Sequence, residues 1–226
     1  MDQISCFVRL FLLLFCLGLF IAPPIFGQAK RQALVFRIGG SFFRGETSSD
    51  DLTEGLDPGS DIQFLYLKQS RNAQWEYGLN LSFSQDSRKM RLQVPRQGLQ
   101  IYRANLSALC ILGSVRFYPV SLVHRRRRRT FDPRPYLLGG LGLYQGIVNS
   151  NGQQFRNTGY DFSGNLVLSP ALAMGGGLYI ALAPAWYAEI FIQGLNGLND
   201  QWDGIAGSTA RSDWLVQMGL GVVRRF

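Results

Sequence analysis

Cysteine and histidine are scarce in this chain: three cysteines and one histidine among 226 residues. Cys6 and Cys16 lie in the first thirty residues, which leaves Cys110 as the lone thiol of the remainder. One thiol excludes an internal disulfide framework and a thiolate metal site. The single histidine, His124, excludes a histidine-rich metal cluster and leaves little material for histidine-based catalysis. Long apolar runs are also few. The only one is "LFLLLFCLGLFIA", Leu10 to Ala22, and no second helical membrane span follows it.

What the first residues do contain is ordered. Arg9 precedes the apolar run, Pro23 and Pro24 close it, and "PPIFGQA" follows. A short basic start, an apolar stretch of about 7–15 residues and small residues before a cut describe a secretory signal peptide. The run is shorter than the roughly 20 residues a spanning helix requires. Gly27 and Ala29 fit the small positions, so cleavage is expected after Ala29, with 1–29 as signal and 30–226 as one mature domain. A lipoprotein signal does not fit, because bulky Leu14 and Phe15 precede Cys16. The whole chain carries a net charge of +8, and the leader holds one acid and one base, Asp2 and Arg9, so the mature chain keeps it.

Glycine, in contrast, is plentiful, with 26 residues, and the apolar pattern runs with period two. In "WEYGLNLSFS", Trp75, Tyr77, Leu79, Leu81 and Phe83 alternate with Glu76, Gly78, Asn80, Ser82 and Ser84. Successive strand side chains point to opposite faces, so one face is apolar and the other small or polar. "DWLVQMGLGVVRRF" repeats this, with Trp214, Val216, Met218, Leu220, Val222 and Phe226 opposed to Gln217, Gly219, Gly221 and Arg225. "LVFRIGGSFF" places Leu34, Phe36, Ile38 and Phe42 opposite Arg37, Gly39 and Ser41. "WYAEIFIQG" sets Trp186, Ala188, Ile190 and Ile192 against Tyr187, Glu189 and Gln193, with Phe191 interrupting the polar side. Weaker strands are read at 61–68, 107–118, 134–148 and 168–182; the last two are too rich in Gly and Leu for their faces to be assigned.

Eight strands is an even number, as a closed antiparallel membrane barrel of the bacterial kind requires. The connections 45–60, 85–106, 149–167 and 197–211 are long and polar, whereas 69–73 and 183–185 are tight. Long loops at one end and short turns at the other are the outer-membrane arrangement. Lipid cannot satisfy an open sheet edge, so the sheet must close. An eight-stranded barrel has an interior that side chains fill. Arg37, Glu76, Arg116 and Glu189 point inward and are expected to form a lumenal charge network, since unpaired buried charges are costly.

With this pattern in view, the mature chain resembles the small outer-membrane β-barrel families of Gram-negative bacteria, of the OmpX, OmpW and porin-like kind. "VRFYP" (115–119), "RPYLLGGLGLY" (134–144), "MGGGLYI" (174–180) and the terminal "GLGVVRRF" carry the resemblance. It implies an all-β, eight-stranded antiparallel transmembrane barrel in the cell outer membrane. It also implies a terminal-strand signal for the barrel-assembly machinery at Leu220, Gly221, Val222 and Phe226, from which Arg224 departs because an apolar residue is usual there. Barrels of this kind that modify lipid A use a His with Ser and an acidic partner near the outer rim. His124 stands at the opposite end, so no enzyme activity, metal or cofactor is expected.

Two charged segments remain. Loop one offers Glu46, Asp50, Asp51, Glu54, Asp57 and Asp61 in a spacing that matches no calcium loop, and a solvated acidic loop is expected. Loop two carries Arg88, Lys89, Arg91 and Arg96, suited to charge-assisted bonds with the phosphates of lipopolysaccharide. The run Arg125, Arg126, Arg127, Arg128 and Arg129 follows His124. On the lipid face each arginine would cost about 2–4 kcal/mol, on the order of 10–20 kcal/mol together, so the run lies outside the hydrocarbon. The strand count places it in a periplasmic turn, where anionic headgroups or an acidic partner in a membrane complex are better matches than nucleic acid. The expected role is non-enzymatic, structural or interactive. A narrow conduit for small apolar solutes and a soluble periplasmic ligand-binding barrel are the alternatives.

Overall fold

The computed structural model describes residues 31–44, 59–71, 74–94, 98–119, 133–150, 166–198 and 214–226. They form β1 (Gln32–Arg44), β2 (Gly59–Gln69), β3 (Trp75–Val94), β4 (Gly98–Phe117), β5 (Pro133–Ser150), β6 (Leu166–Ala183), β7 (Trp186–Gly197) and β8 (Trp214–Arg225). Every strand pairs antiparallel with its sequence neighbour, and β8 returns to β1 in a closed barrel. The closing register runs from Ala33↔Arg225 to Arg44↔Trp214. Both described termini meet there: the Gln32 N–H donates to the Phe226 carbonyl at 3.2 Å, and Phe226 donates back to Gln32 at 3.0 Å. This end, which also holds the β2–β3 and β6–β7 turns, is the turn end; the opposite is the loop end.

Period-two patterning decides the two surfaces. Outside, Leu79, Ile111, Leu137, Leu141, Ile190 and Leu220 are exposed, Leu141 at 65%. An exposed apolar surface of this extent marks contact with an apolar medium. On β3 the belt runs from Trp75 to Phe83 before exposed Gln85 ends it, a length matching the about 9–11 residues of a tilted membrane strand. Aromatic side chains gather at the turn end, as they do at membrane interfaces. Trp75 packs on Phe117 at 4.7 Å between ring centroids, and the Arg224 guanidinium lies 5.5 Å from the Trp186 ring.

Inside, glycines make room for large neighbours. A Cβ on Gly177 would stand 2.4 Å from the Tyr136 hydroxyl, and one on Gly221 would stand 2.9 Å from Glu189 Oε2. The Gly- and Leu-rich strands thereby acquire definite faces: Tyr136, Leu138 and Tyr144 of β5 and Ala171, Ala173 and Tyr179 of β6 are buried inward, while Leu137, Leu141, Leu143, Leu168 and Met174 face out.

Two expectations are corrected. Residues 85–94 and 98–106 are strand, not connection. β3 and β4 continue through that segment as paired strands, from Gln85↔Ser107 to Val94↔Gly98. The segment is polar, but Met90, Leu92, Val94, Leu99 and Ile101 give it strand character. Among the described residues the β2 ladder ends at Ser60↔Gln85, and the β5 ladder at Ala104↔Ser150. Beyond those pairs the two strands form a ribbon past the barrel rim. The second correction concerns Asp61. It is not a solvated loop residue; it belongs to β2 and is buried in the lumen.

Candidate functional site in the barrel lumen

The lumen is filled by two polar layers. Toward the turn end, Arg37 is fully buried and every terminal nitrogen is engaged. Its Nε donates to Glu189 Oε2, Nη2 to Glu189 Oε1 and the Tyr136 hydroxyl, and Nη1 to Gln63 Oε1, each at 2.9 Å. Tyr136 donates to the same carboxylate at 2.6 Å. The Phe191 ring, an interruption in the sequence pattern, lies 4.2 Å from the Arg37 guanidinium carbon. An aromatic face suits a desolvated cation, so Phe191 belongs inside. Arg116 Nη1 pairs with Glu189 Oε1 at 3.1 Å and donates to the Tyr179 hydroxyl. Beside them Arg225 pairs with Glu76, and Tyr118 donates to Glu76 at 2.6 Å. Tyr118, Tyr136 and Tyr179 pack ring to ring at 5.3–5.9 Å, a floor of aromatic area across this end.

Nearer the loop end the layer holds two buried acids, Asp61 and Asp86. Asp61 accepts from Ser84 at 2.8 Å, from Gln63 at 2.7 Å and from Gln217 at 2.7 Å. Gln217 also donates to Ser84 at 2.9 Å and accepts from Gln193 at 3.0 Å. Gln63 joins the layers, since it accepts from Arg37 and donates to Asp61.

The structure therefore brings Arg37, Arg116 and Glu189 into one cluster, while Glu76, the cross-strand neighbour of Arg116, is engaged by Arg225. Sequence reasoning placed Arg225 on the inner face but left it out of the network. It missed Tyr136 and Tyr179, which sit in strands whose faces are ambiguous by composition, and Asp61, which the polar run before it disguised as loop. Arg88, Lys89 and Arg91 lie on β3 in the ribbon, and Arg96 lies outside the described residues. So do residues 1–29, expected as a leader, the loop-one acids Glu46 to Asp57, His124 and Arg125 to Arg129. Leu220 and Val222 face outward, and Gly221 faces Glu189. Among the described residues no group of three His, Cys, Asp or Glu side chains could hold a metal ion.

No protein-family model matches the chain, and no curated protein matches it in sequence. Solved structures do match in shape. The crystal structure of Neisserial surface protein A (NspA) aligns with a TM-score of 0.52 at 12% identity, covering 86% of this chain and 97% of that one. The chain has the fold of a small outer-membrane β-barrel. The attachment invasion locus protein Ail of Yersinia pestis, solved with a heparin analogue, aligns with a TM-score of 0.46 at 14% identity over 88% of this chain and all of that one. The outer membrane protein OprG from Pseudomonas aeruginosa aligns with a TM-score of 0.46 at 14% identity over 86% and 96%. At these identities what is shared is the fold, and any role of this barrel rests on its own residues.

Proposed function

We propose that this chain is an integral outer-membrane barrel that acts without catalysis, as a structural and contact element of the cell envelope. The observation that carries the reading is the pairing of an apolar exterior with a filled, hydrogen-bonded lumen. In water the belt around Leu79, Leu141 and Leu220 would be a large exposed apolar patch, which disfavours the soluble ligand-binding alternative. A conduit would have to pass Arg37, Gln63, Tyr136 and Glu189, which are bonded to one another across the interior.

Contact is assigned to the ribbon. Lys89 and Arg91 stand four and six residues beyond Gln85, where the belt ends. At about 3.4 Å per residue and a tilt of about 45°, that is about 10–14 Å above the hydrocarbon, in the zone of head groups and sugars. The register sets Lys89 opposite Arg103. Like charges directly opposed on a sheet repel, and the phosphates of lipopolysaccharide would relieve that repulsion through charge-assisted hydrogen bonds. Arg125 to Arg129, between two strands that meet the turn end, suit an anionic headgroup or an acidic envelope partner on the periplasmic side.

The test is purification from native membranes in mild detergent, followed by planar-bilayer recording and measurement of bound lipopolysaccharide. Detergent dependence, no steady conductance, and lipopolysaccharide that falls when Arg88, Lys89, Arg91 and Arg96 are changed to Gln are expected. Recovery as a soluble protein would overturn the membrane placement, and steady conductance would return the conduit reading.

A further inference from the structure

The lumenal cluster holds three arginines, Arg37, Arg116 and Arg225, against two glutamates. Glu76 is engaged by Arg225, and Glu189 serves both Arg37 and Arg116. Asp61, the nearest further acid by register, is held at the loop-end side by Ser84, Gln63 and Gln217. Arg37 has a partner at each nitrogen, and Arg116 does not. The Arg116 side chain is fully buried and its guanidinium carbon lies 4.7 Å from the Tyr136 ring centroid, yet Nε and Nη2 have no hydrogen-bond acceptor in the protein. The next inward side chain on β4 is Ser114, 2% exposed, and its hydroxyl is likewise without a partner.

These donors share one wall of the lumen, and that wall is built small. The register sets Ser114 between Gly78 and Gly140, with Ala173 beyond Gly140 and Gly175 beyond Leu138. Directly opposite Ser114, on both neighbouring strands, stand glycines only, Gly78 and Gly140. A buried cation that shares its only carboxylate, with two unpartnered donor nitrogens beside a free hydroxyl, is expensive unless a negative charge completes it. Water could accept these hydrogen bonds but would leave the charge uncompensated.

We propose that the lumen carries a binding site for a small monovalent inorganic anion of the halide kind, held by Arg116 Nε and Nη2 and by the Ser114 hydroxyl. The anion makes up the second negative charge that Arg37 and Arg116 together require and joins β4 to the cluster on β1 and β7. It gives the interior a dependence on the ions present during assembly, separate from anything the ribbon binds.

The probe is bromide. Crystals of the detergent-solubilised barrel grown in sodium bromide should show an anomalous peak within hydrogen-bond distance of Arg116. Thermal unfolding, followed by heat-modifiable gel migration, should shift upward with halide at fixed ionic strength against gluconate. A rise of roughly 3–6 °C is expected at ten times the dissociation constant. Arg116→Met should abolish the halide dependence. Because that variant risks misassembly, Ser114→Ala provides the second test: it should assemble normally and weaken the dependence by several-fold. A lumen with no bromide peak, or unfolding that responds equally to halide and gluconate, overturns the proposal. So does a Ser114→Ala barrel whose halide response equals that of the parent.

Discussion

The two halves of β3 and β4 form a natural comparison. From Trp75 to Gln85, β3 lies between β2 and β4, its inward side chains meeting a packed lumen and its outward ones the apolar belt. From Asp86 to Val94 it pairs, among the described residues, with β4 alone. The same two strands thus pass from a fully partnered environment to a two-stranded ribbon. A lone hairpin is marginal in water, so the ribbon takes its stability from the barrel that anchors it. The difference separates where the fold is held together from where the chain is free to make contacts: substitutions below Gln85 should cost stability, and substitutions above it should change binding.

The largest effect is expected at Glu189. Glu189→Ala leaves Arg37 and Arg116 without their shared carboxylate and should destabilise the barrel by about 3–5 kcal/mol, seen as a lower temperature of heat-modifiable migration. Next is the belt. Leu141→Arg puts a charge on the outward face of β5 and should cost about 2–4 kcal/mol in bilayers, checked by denaturant titration in lipid vesicles. Gly177→Val comes third. Its side chain would meet the Tyr136 ring and the Ile190 carbonyl, and overpacking of this kind costs about 1–3 kcal/mol. The smallest effect belongs to the ribbon: Lys89→Gln with Arg91→Gln should leave stability within about 0.5 kcal/mol while lowering bound lipopolysaccharide. A ribbon pair as destabilising as Glu189→Ala would erase the contrast between the two halves.

Much of the barrel was legible because period-two patterning is a local signal. Trp75 to Ser84 and Trp214 to Phe226 declare both faces within a dozen residues, and Arg37, Arg116, Glu76 and Glu189 stand out as charges on otherwise small or apolar inner faces. The partners were not legible, because they are set by the register around the closed barrel. Nothing near Glu76 in sequence announces that Arg225 will reach it from the last strand. Tyr136 and Tyr179 were hidden for a different reason: where Gly and Leu fill both parities, composition carries no face. The ribbon was missed because its charges read as loop, although Met90, Leu92 and Val94 keep the alternation.

The most direct test of the account is the sidedness of the two ends. In a Cys110→Ser background, a cysteine replacing Val94, in the last described pair of the ribbon, and one replacing Ser70, just after β2, can be challenged on intact cells with a membrane-impermeant maleimide. Labelling of Val94→Cys is expected on intact cells, and of Ser70→Cys only after the outer membrane is permeabilised. Labelling of Ser70→Cys on intact cells with Val94→Cys protected, or equal protection of both until permeabilisation, would contradict this placement.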